Sequence, residues 1–429
     1  MERGAGRGAG GAGADRGSGR LGALRSGNFR LYFTSQVITN VGSWMQQVAT
    51  GWLVLQLTDS PAYLGFNAVF QALPILVFAV IGGVVADRFD RFKLTVGSQI
   101  LQILPDGALA WLVMSENVRV EHVFIYSVMS ATLNGLNTPA RNALIPSLVR
   151  KSDLMSAMAM NSVLWQGSAV IGPAVAGWIL AIWGLPGSFN INVASDVVSL
   201  VALLAVRAPA IKLAPRKTSG WADMREGASY AWHSAGIRAL LIAVALVVLF
   251  GRPYAQLLPA FARDVFEVGP QGLGLLVTAP ALGTIAAGVA LALVARVPLV
   301  RTLLWSSAGL GAALVGFCIT RNFPLALGFL FIAGACQSGA TTLINTRLQE
   351  LSDEHVRGRV MSLFMVATWA VWRIGALPLG LAAEAWGSPL AVGVSGGLLA
   401  LAILPAWRSR ALWKTEERKL IPSPLVGEG

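Results

Sequence analysis

Hydrophobic positions fall in long blocks along this chain, broken by short polar turns. Mostly apolar runs lie near 31–57, 62–86, 94–114, 121–141, 157–182, 187–207, 238–261, 271–295, 299–319, 323–345, 359–383 and 388–407. Each has the roughly 20 residues that a helix needs to cross the hydrocarbon of a bilayer. The pattern predicts an all-α membrane protein of twelve transmembrane helices. Gly and Pro punctuate most runs, which spans tolerate because neighbouring helices re-satisfy the freed backbone groups. The sharpest turn is Gly83–Lys93, where one apolar run ends in Asp87, Arg88, Asp90, Arg91 and Lys93 and the next begins at Leu94.

The longest break, about 208–237, carries Lys212, Arg216, Lys217 and Arg225, with an amphipathic helix expected around Trp221–His233. It divides the runs into six and six. A shift of about 206 residues sets Arg141 over Arg347 and Met155-Ser156 over Met361-Ser362, an echo of a duplicated six-helix unit. The expected organisation is a cytoplasmic tail (1–27), a six-helix half (28–207), a cytoplasmic linker with its amphipathic helix (208–237), a second half (238–408) and a cytoplasmic tail (409–429).

Composition supports a chain dissolved in lipid: 55% of residues are hydrophobic and only 13% charged, about half the share of a soluble domain. The net charge of +12 is spread over short turns and forms no single basic face, so no nucleic-acid partner is expected. With the N-terminus inside, most of the 33 Lys and Arg fall in cytoplasmic segments, leaving Arg119, Arg263 and Arg321 outside. The expected location is the cell inner (plasma) membrane, multi-pass, with both termini cytoplasmic and the protein a monomer. Residues 1–20 have no apolar core of a cleavable signal, and their GxGxxG at Gly8–Gly13 follows no strand. Cys318 and Cys336 lie inside apolar runs at no metal-binding spacing, and no metal or organic cofactor is expected.

Polar residues inside the runs mark candidate faces. Asn40, Ser43 and Gln47 sit in the first span, Asn134, Asn137, Thr138 and Arg141 in the fourth. Arg252 and Gln256 sit in the seventh, and Gln337, Ser338, Thr341, Thr342 and Asn345 in the tenth. Each set keeps helical spacing and shares a face, either lining a cavity or bonding between packed helices. Arg252 and Arg373 are charges at membrane depth, costly unless they meet water or a partner. Arg373 lies beside Trp372 and one turn from Trp369. The pair suits an anionic, aromatic substrate or pairs with an acid among Asp106, Asp196 and Glu384. Asp106 and Asp196 are the titratable groups within spans, hence the candidates for proton coupling. No Lys follows a Gly, so no phosphate-binding loop is present and ATP drive within the chain is not expected. Gly393-Val394-Ser395-Gly396-Gly397 fits the GxSxG nucleophile pattern, yet no His lies in the neighbouring spans to act as base, and packing glycines explain it better. No enzyme activity is expected.

The turn GVVADRFDRFK resembles the loop between spans two and three of the major facilitator superfamily: Gly83, Asp87, Arg88, Arg91 and Lys93 fit, while Asp90 replaces a usual second Gly and Phe92 interrupts the basic pair. Gly167, Gly172-Pro173 and Gly177 resemble the fifth-span motif of its exporters. Asn40–Gln46, Thr138–Pro146, Leu258–Arg263 and Arg357–Ser362 resemble the enterobactin-exporter-like branch, the transmembrane secretion effectors, over residues 28–408. The resemblance implies two pseudo-symmetric six-helix halves with spans one, four, seven and ten around a central cavity. It implies that Asp87 meets the Arg357-Gly358-Arg359 helix start as a gate, with topological anchoring the plainer alternative, and that Gly172-Pro173 bends or closely packs span five. It implies secondary active transport by alternating access, driven by an ion gradient, the proton foremost. The cargo would be a small siderophore-like or drug-like organic molecule exported from the cytoplasm. Alternatives are an importer or multidrug carrier of the same fold, or a non-transporting receptor or scaffold. The first-span acid and fourth-span Arg of many drug/proton antiporters have no match here.

Overall fold

A computed structural model describes residues 22–207, 228–294 and 298–403; the side chains of Val80, Asp87, Leu299 and His355 are outside the description, as are both tails and most of the linker. Of the expected amphipathic helix only 228–233 falls within it, and is helical. The described residues are helical almost throughout, with no strand among them. The N-terminal half comprises α1 (Gly27–Thr58), α2 (Pro61–Arg88), α3 (Arg91–Met114), α4 (Val120–Leu148) and α5 (Leu154–Leu204). Helix α5 is two spans in one: Gly184, at φ 64° and ψ −169°, reverses the chain within it. The C-terminal half begins with α6 (Ala235–Gly251) and α7 (Tyr254–Ala260), which together with the π-turn Phe261–Val265 form one interrupted span. Then come α8 (Gly269–Leu293), α9 (Leu299–Ile319) and α10 (Phe323–Leu351), followed by α11 (Glu354–Trp369) with α12 (Val371–Trp386), again one interrupted span, and α13 (Ser388–Ala402).

Eight helical stretches are long and apolar enough to cross a membrane, one of them the double span α5. Adding α1, α4 and α13 completes twelve passes. α1 and α4 miss on hydropathy, not length, because they hold the Asn, Gln, Ser and Thr that the polar pattern singled out. Large apolar side chains such as Leu104, Trp111, Trp178, Trp305 and Leu401 stand exposed around the bundle, where lipid would cover them.

Pseudo-symmetry shows in the packing. α2 packs on α4 as α8 packs on α10, α3 on α4 as α9 on α10, and α3 on α5 as α9 on α13. The halves join along α2–α12 and α5–α8, positions that the same symmetry exchanges. Both seams are bare backbone. A Cβ on Gly65 would lie 2.6 Å from the Ala376 carbonyl oxygen, and one on Gly380 3.0 Å from that of Pro61. In the other seam Gly177 and Gly274 face each other, each 2.6 Å from a carbonyl oxygen, of Pro270 and Pro173. Small residues let helix backbones approach where lipid supplies no hydrophobic drive.

The two ends of the bundle turn differently. Every residue at positive φ among those described (Asp59, Glu116, Gly184, Glu267, Gly269 and Gly387) sits in a turn at the same end, the Asp59 end. The turns at the opposite, Arg88 end use extended residues and caps. There Asp90, in place of the usual Gly, accepts the Phe92 and Lys93 amides at 2.9 and 3.0 Å and caps α3, a contact worth about 1 kcal/mol.

Within the C-terminal half, a Cβ on Gly334 would fall on the backbone of Pro280, whereas one on Gly288 would meet nothing within 4 Å. Gly334→Ala is therefore expected to destabilise by about 1–3 kcal/mol and Gly288→Ala to be near neutral. Thermal unfolding of the purified protein in detergent measures both.

Candidate functional site

Two spans are broken at the same place. Pro253 has no amide hydrogen to continue α6, and Arg252, at φ −115° and ψ −26°, ends it. The Phe250 carbonyl beside this break accepts the Ser395 hydroxyl of α13 at 2.8 Å. The partner break lies at Ala370, between α11 and α12. Gly375 locks the two together: a Cβ there would sit 2.9 Å from the Leu249 carbonyl oxygen and 3.2 Å from the Pro253 ring. From these breaks Arg252 and Arg373 reach one indole, their guanidinium carbons 4.9 and 4.6 Å from the Trp372 ring centre. Arg373 also donates to the Trp369 carbonyl at 3.1 Å, while its Nε and the Trp372 Nε1 have no partner. Among the described residues neither guanidinium has a carboxylate within 4.0 Å. The acids offered as partners are engaged elsewhere: Glu384 accepts the Ser60 hydroxyl at 2.6 Å across the halves, and Asp106 and Asp196 belong to the other half.

In that other half the two aspartates come together. Asp106 of α3 and Asp196 of α5 are 2% and 6% exposed, and their carboxyls lie within hydrogen-bonding reach of each other. Gln102 donates to Asp106 Oδ2 at 2.8 Å, Gln99 to Asp196 Oδ1 at 3.3 Å and Asn192 to Asp196 Oδ2 at 3.4 Å. Asp106 Oδ1 has no donor. Tyr126 of α4 stands beside Asp106, with Gln46 of α1 next to it, so four spans converge on the pair. The sequence named the two acids separately; their meeting depends on the crossing of α3 with the second limb of α5, which no local pattern shows.

The other sequence-derived residues divide. Gln47, Asn134 and Trp369 are exposed, and Asn137, Gln256, Thr341 and Asn345 half-buried. Asn40 is buried, its amide spent on the Gln36 carbonyl at 2.8 Å, so it faces packing and not open space. Gly172 packs on Trp44, and its neighbour Pro173 presents the carbonyl against Gly274 in the α5–α8 seam. Of the expected gate, Asp87 is placed only by its backbone, in the last turn of α2, and its side chain lies outside the described residues. Arg88 is exposed; Arg91 donates to the Ala143 carbonyl at 3.2 Å and Arg357 to that of Ser352 at 3.5 Å, each within its own half. Arg359 is half-buried on α11. A Cβ on Gly83 or Gly358 would meet nothing within 4 Å. Close helix packing falls instead on the adjacent Gly82, where a Cβ would lie 2.8 Å from the Gly135 carbonyl oxygen of α4.

At the Asp59 end the halves are tied by side chains. Arg263 bonds the Asp59 carboxylate at 2.7 Å and the Leu55 carbonyl at 3.0 Å, and Ser60 bonds Glu384. Nearer mid-span, the Thr278 hydroxyl donates to the Val170 carbonyl at 3.1 Å.

Two six-helix halves, joined along symmetry-related seams around interrupted helices, are the major facilitator fold. A bacterial homologue of the iron transporter ferroportin, solved inward-facing, superposes with a TM-score of 0.71 at 20% identity over 92% of this chain and 99% of its own. A POT family transporter in complex with 5-aminolevulinic acid gives 0.73 at 12% identity over 89% and 95%. Within that fold the sequence model of the transmembrane secretion effectors matches residues 18–428, and the chain belongs to that family. Among its relatives are the staphyloferrin A transporter of Staphylococcus aureus (26% identical over 83% of this chain and 90% of the relative) and macrolide efflux protein A of Streptococcus pyogenes (25%, 82% and 87%). The multidrug efflux pump Tap of Mycolicibacterium fortuitum is 23% identical over 85% of this chain and 91% of its own.

Ser395 thus bridges a helix break. Ser395→Ala is expected to cost about 1 kcal/mol of stability, read as a lower unfolding temperature. A fluorophosphonate probe for reactive serines should leave the unmodified protein unlabelled.

Proposed function

We propose that this protein is a secondary transporter that exports small organic molecules by alternating access, driven by protons, without covalent chemistry on its cargo. The observation that carries the reading is the asymmetry of the seam between the halves. Their described ties gather at the Asp59 end and mid-span, while Gly83 and Gly358 at the Arg88 end face open space. A cavity open toward the Arg88 end, closing as the halves rock, is what alternating access requires.

The Arg88 end is the cytoplasmic one in this reading, since Arg88, Arg91, Lys93, Arg150, Lys151, Arg357 and Arg359 gather there and Arg119, Arg263 and Arg321 lie opposite. Both termini are then cytoplasmic, in the cell membrane, and the monomer is the working unit. Export follows from the relatives named for efflux. Asp87 meets the start of α11 when the Arg88 end closes, a charge–dipole contact of about 1–2 kcal/mol.

The coupling site in this reading is the Asp106–Asp196 pair. Two carboxylates this close and this buried do not both carry charge. One proton held between them relieves their repulsion, and removing it leaves a repulsion that a rearrangement of α3 against α5 would relieve. A proton can thereby bias the conformation without touching the cargo.

Comparing metabolites in the medium and cells of a deletion strain and its parent tests the direction. Export predicts a compound retained by the mutant; a compound missing from mutant cells would mean import, and no difference together with no flux in proteoliposomes would favour a receptor. Asp87→Asn is expected to slow transport about tenfold with insertion intact. Asp106→Asn and Asp196→Asn should each abolish transport driven by an imposed pH gradient yet preserve exchange of cargo down its own gradient; pH-driven flux at the unmodified rate would rule the pair out.

A further inference from the structure

Among the described residues the charges at the two helix breaks have no counter-charge: Arg252 makes no hydrogen bond through its guanidinium, Arg373 makes one, to a backbone carbonyl, and no carboxylate lies within 4.0 Å of either. Stacking on Trp372 attracts each cation, but it neutralises neither. A charge at this depth costs several kcal/mol unless water or an anion meets it. A chain seeking only stability would supply an acid or drop the cations, since removing a pair in favour of apolar packing is often neutral. Here two guanidiniums are kept on a rigid mount. Trp372 is 4% exposed, and Gly375 clamps the two breaks against each other. Discontinuous helices near the membrane midplane are where transporter binding sites form.

We propose that Arg252, Trp372 and Arg373 form an anion-binding site selecting cargo that bears two or more carboxylates. Each guanidinium offers a planar fork of donors that matches a carboxylate in two parallel hydrogen bonds, which a lysine could not reproduce. Two forks against one indole ask for two anionic groups on one molecule, and a neutral macrocycle or a cation leaves both charges unmet. The unpartnered Arg373 Nε and Trp372 Nε1 are further donors at the same place. Arg141 of α4 repeats the motif toward the Arg88 end, its guanidinium 5.2 Å over the Trp165 ring with no acid within 4.0 Å, and gives an entering anion a second positive station. The inference rests on the transport reading for its word "cargo"; the binding itself does not require transport.

The test is equilibrium binding to the purified full-length protein in nanodiscs, with citrate as a tricarboxylate probe and trimethyl citrate as its uncharged counterpart. Citrate is expected to bind and the ester not. Arg252→Gln and Arg373→Gln should each weaken citrate binding tenfold or more, and the double variant should abolish it. If a glutamine variant fails to fold, Arg252→Lys and Arg373→Lys retain the charge but lose the fork, and are expected to bind citrate several-fold more weakly. Absence of citrate binding in the unmodified protein, equal binding of the ester, or unchanged affinity in folded variants would each overturn the site. Citrate bound through these arginines but not moved in proteoliposomes would sustain the site and reject transport of such anions. Transport of other cargo without citrate binding would do the reverse.

Discussion

At four glycines the two halves touch backbone to backbone. Gly65 against Ala376 and Gly380 against Pro61 make one seam, Gly177 against Gly274 the other. In a bilayer, apolar side chains gain nothing by leaving lipid for protein, so such seams are held by close van der Waals contact and by weak Cα–H···O bonds. These are lost steeply with distance and regained without desolvating a charge. A seam of this kind can part and re-form at low cost, as long as nothing larger than hydrogen fills it. The polar ties at its margin, Arg263 with Asp59 and Ser60 with Glu384, then decide which end rests closed.

Four of the interior charged groups are kept apart by half. Buried acids are held in the N-terminal half, at Asp106 and Asp196, and the unpaired cations Arg252 and Arg373 in the C-terminal half. Had the four mixed, they would have neutralised one another as ordinary ion pairs and left no group free for a proton or an anion. The fold keeps them apart by spending amides on the acids, from Gln99, Gln102 and Asn192, and an indole on the cations.

The twelve passes and their two-fold arrangement were legible because hydropathy and the long central break are local properties. α1 and α4 scored poorly as spans for the same reason that they drew attention as polar faces. Positions set by contact between distant segments were not legible. The meeting of Asp106 with Asp196, the burial of Asn40 and the choice of Gly82 over Gly83 all depend on how one helix is rotated against another. One residue of helix rotates a side chain by about 100°, so adjacent glycines face different neighbours and only the assembled bundle distinguishes them. Asp90 looked like a flaw in a motif, and it caps α3. Ser395 looked like a nucleophile in a motif, and it serves a broken helix.

The left-handed residues that reverse the chain at Asp59, Glu116, Gly184, Glu267 and Gly387 leave that end of the bundle with hardly any loop. Whichever compartment it faces meets a smooth cap of helix ends. An antibody, a phage tail or a protease finds almost no projecting chain to grip there, and an affinity tag or reporter inserted at those turns would have to break a backbone conformation to be accommodated. Reagents for handling or detecting this protein are better directed to the opposite end.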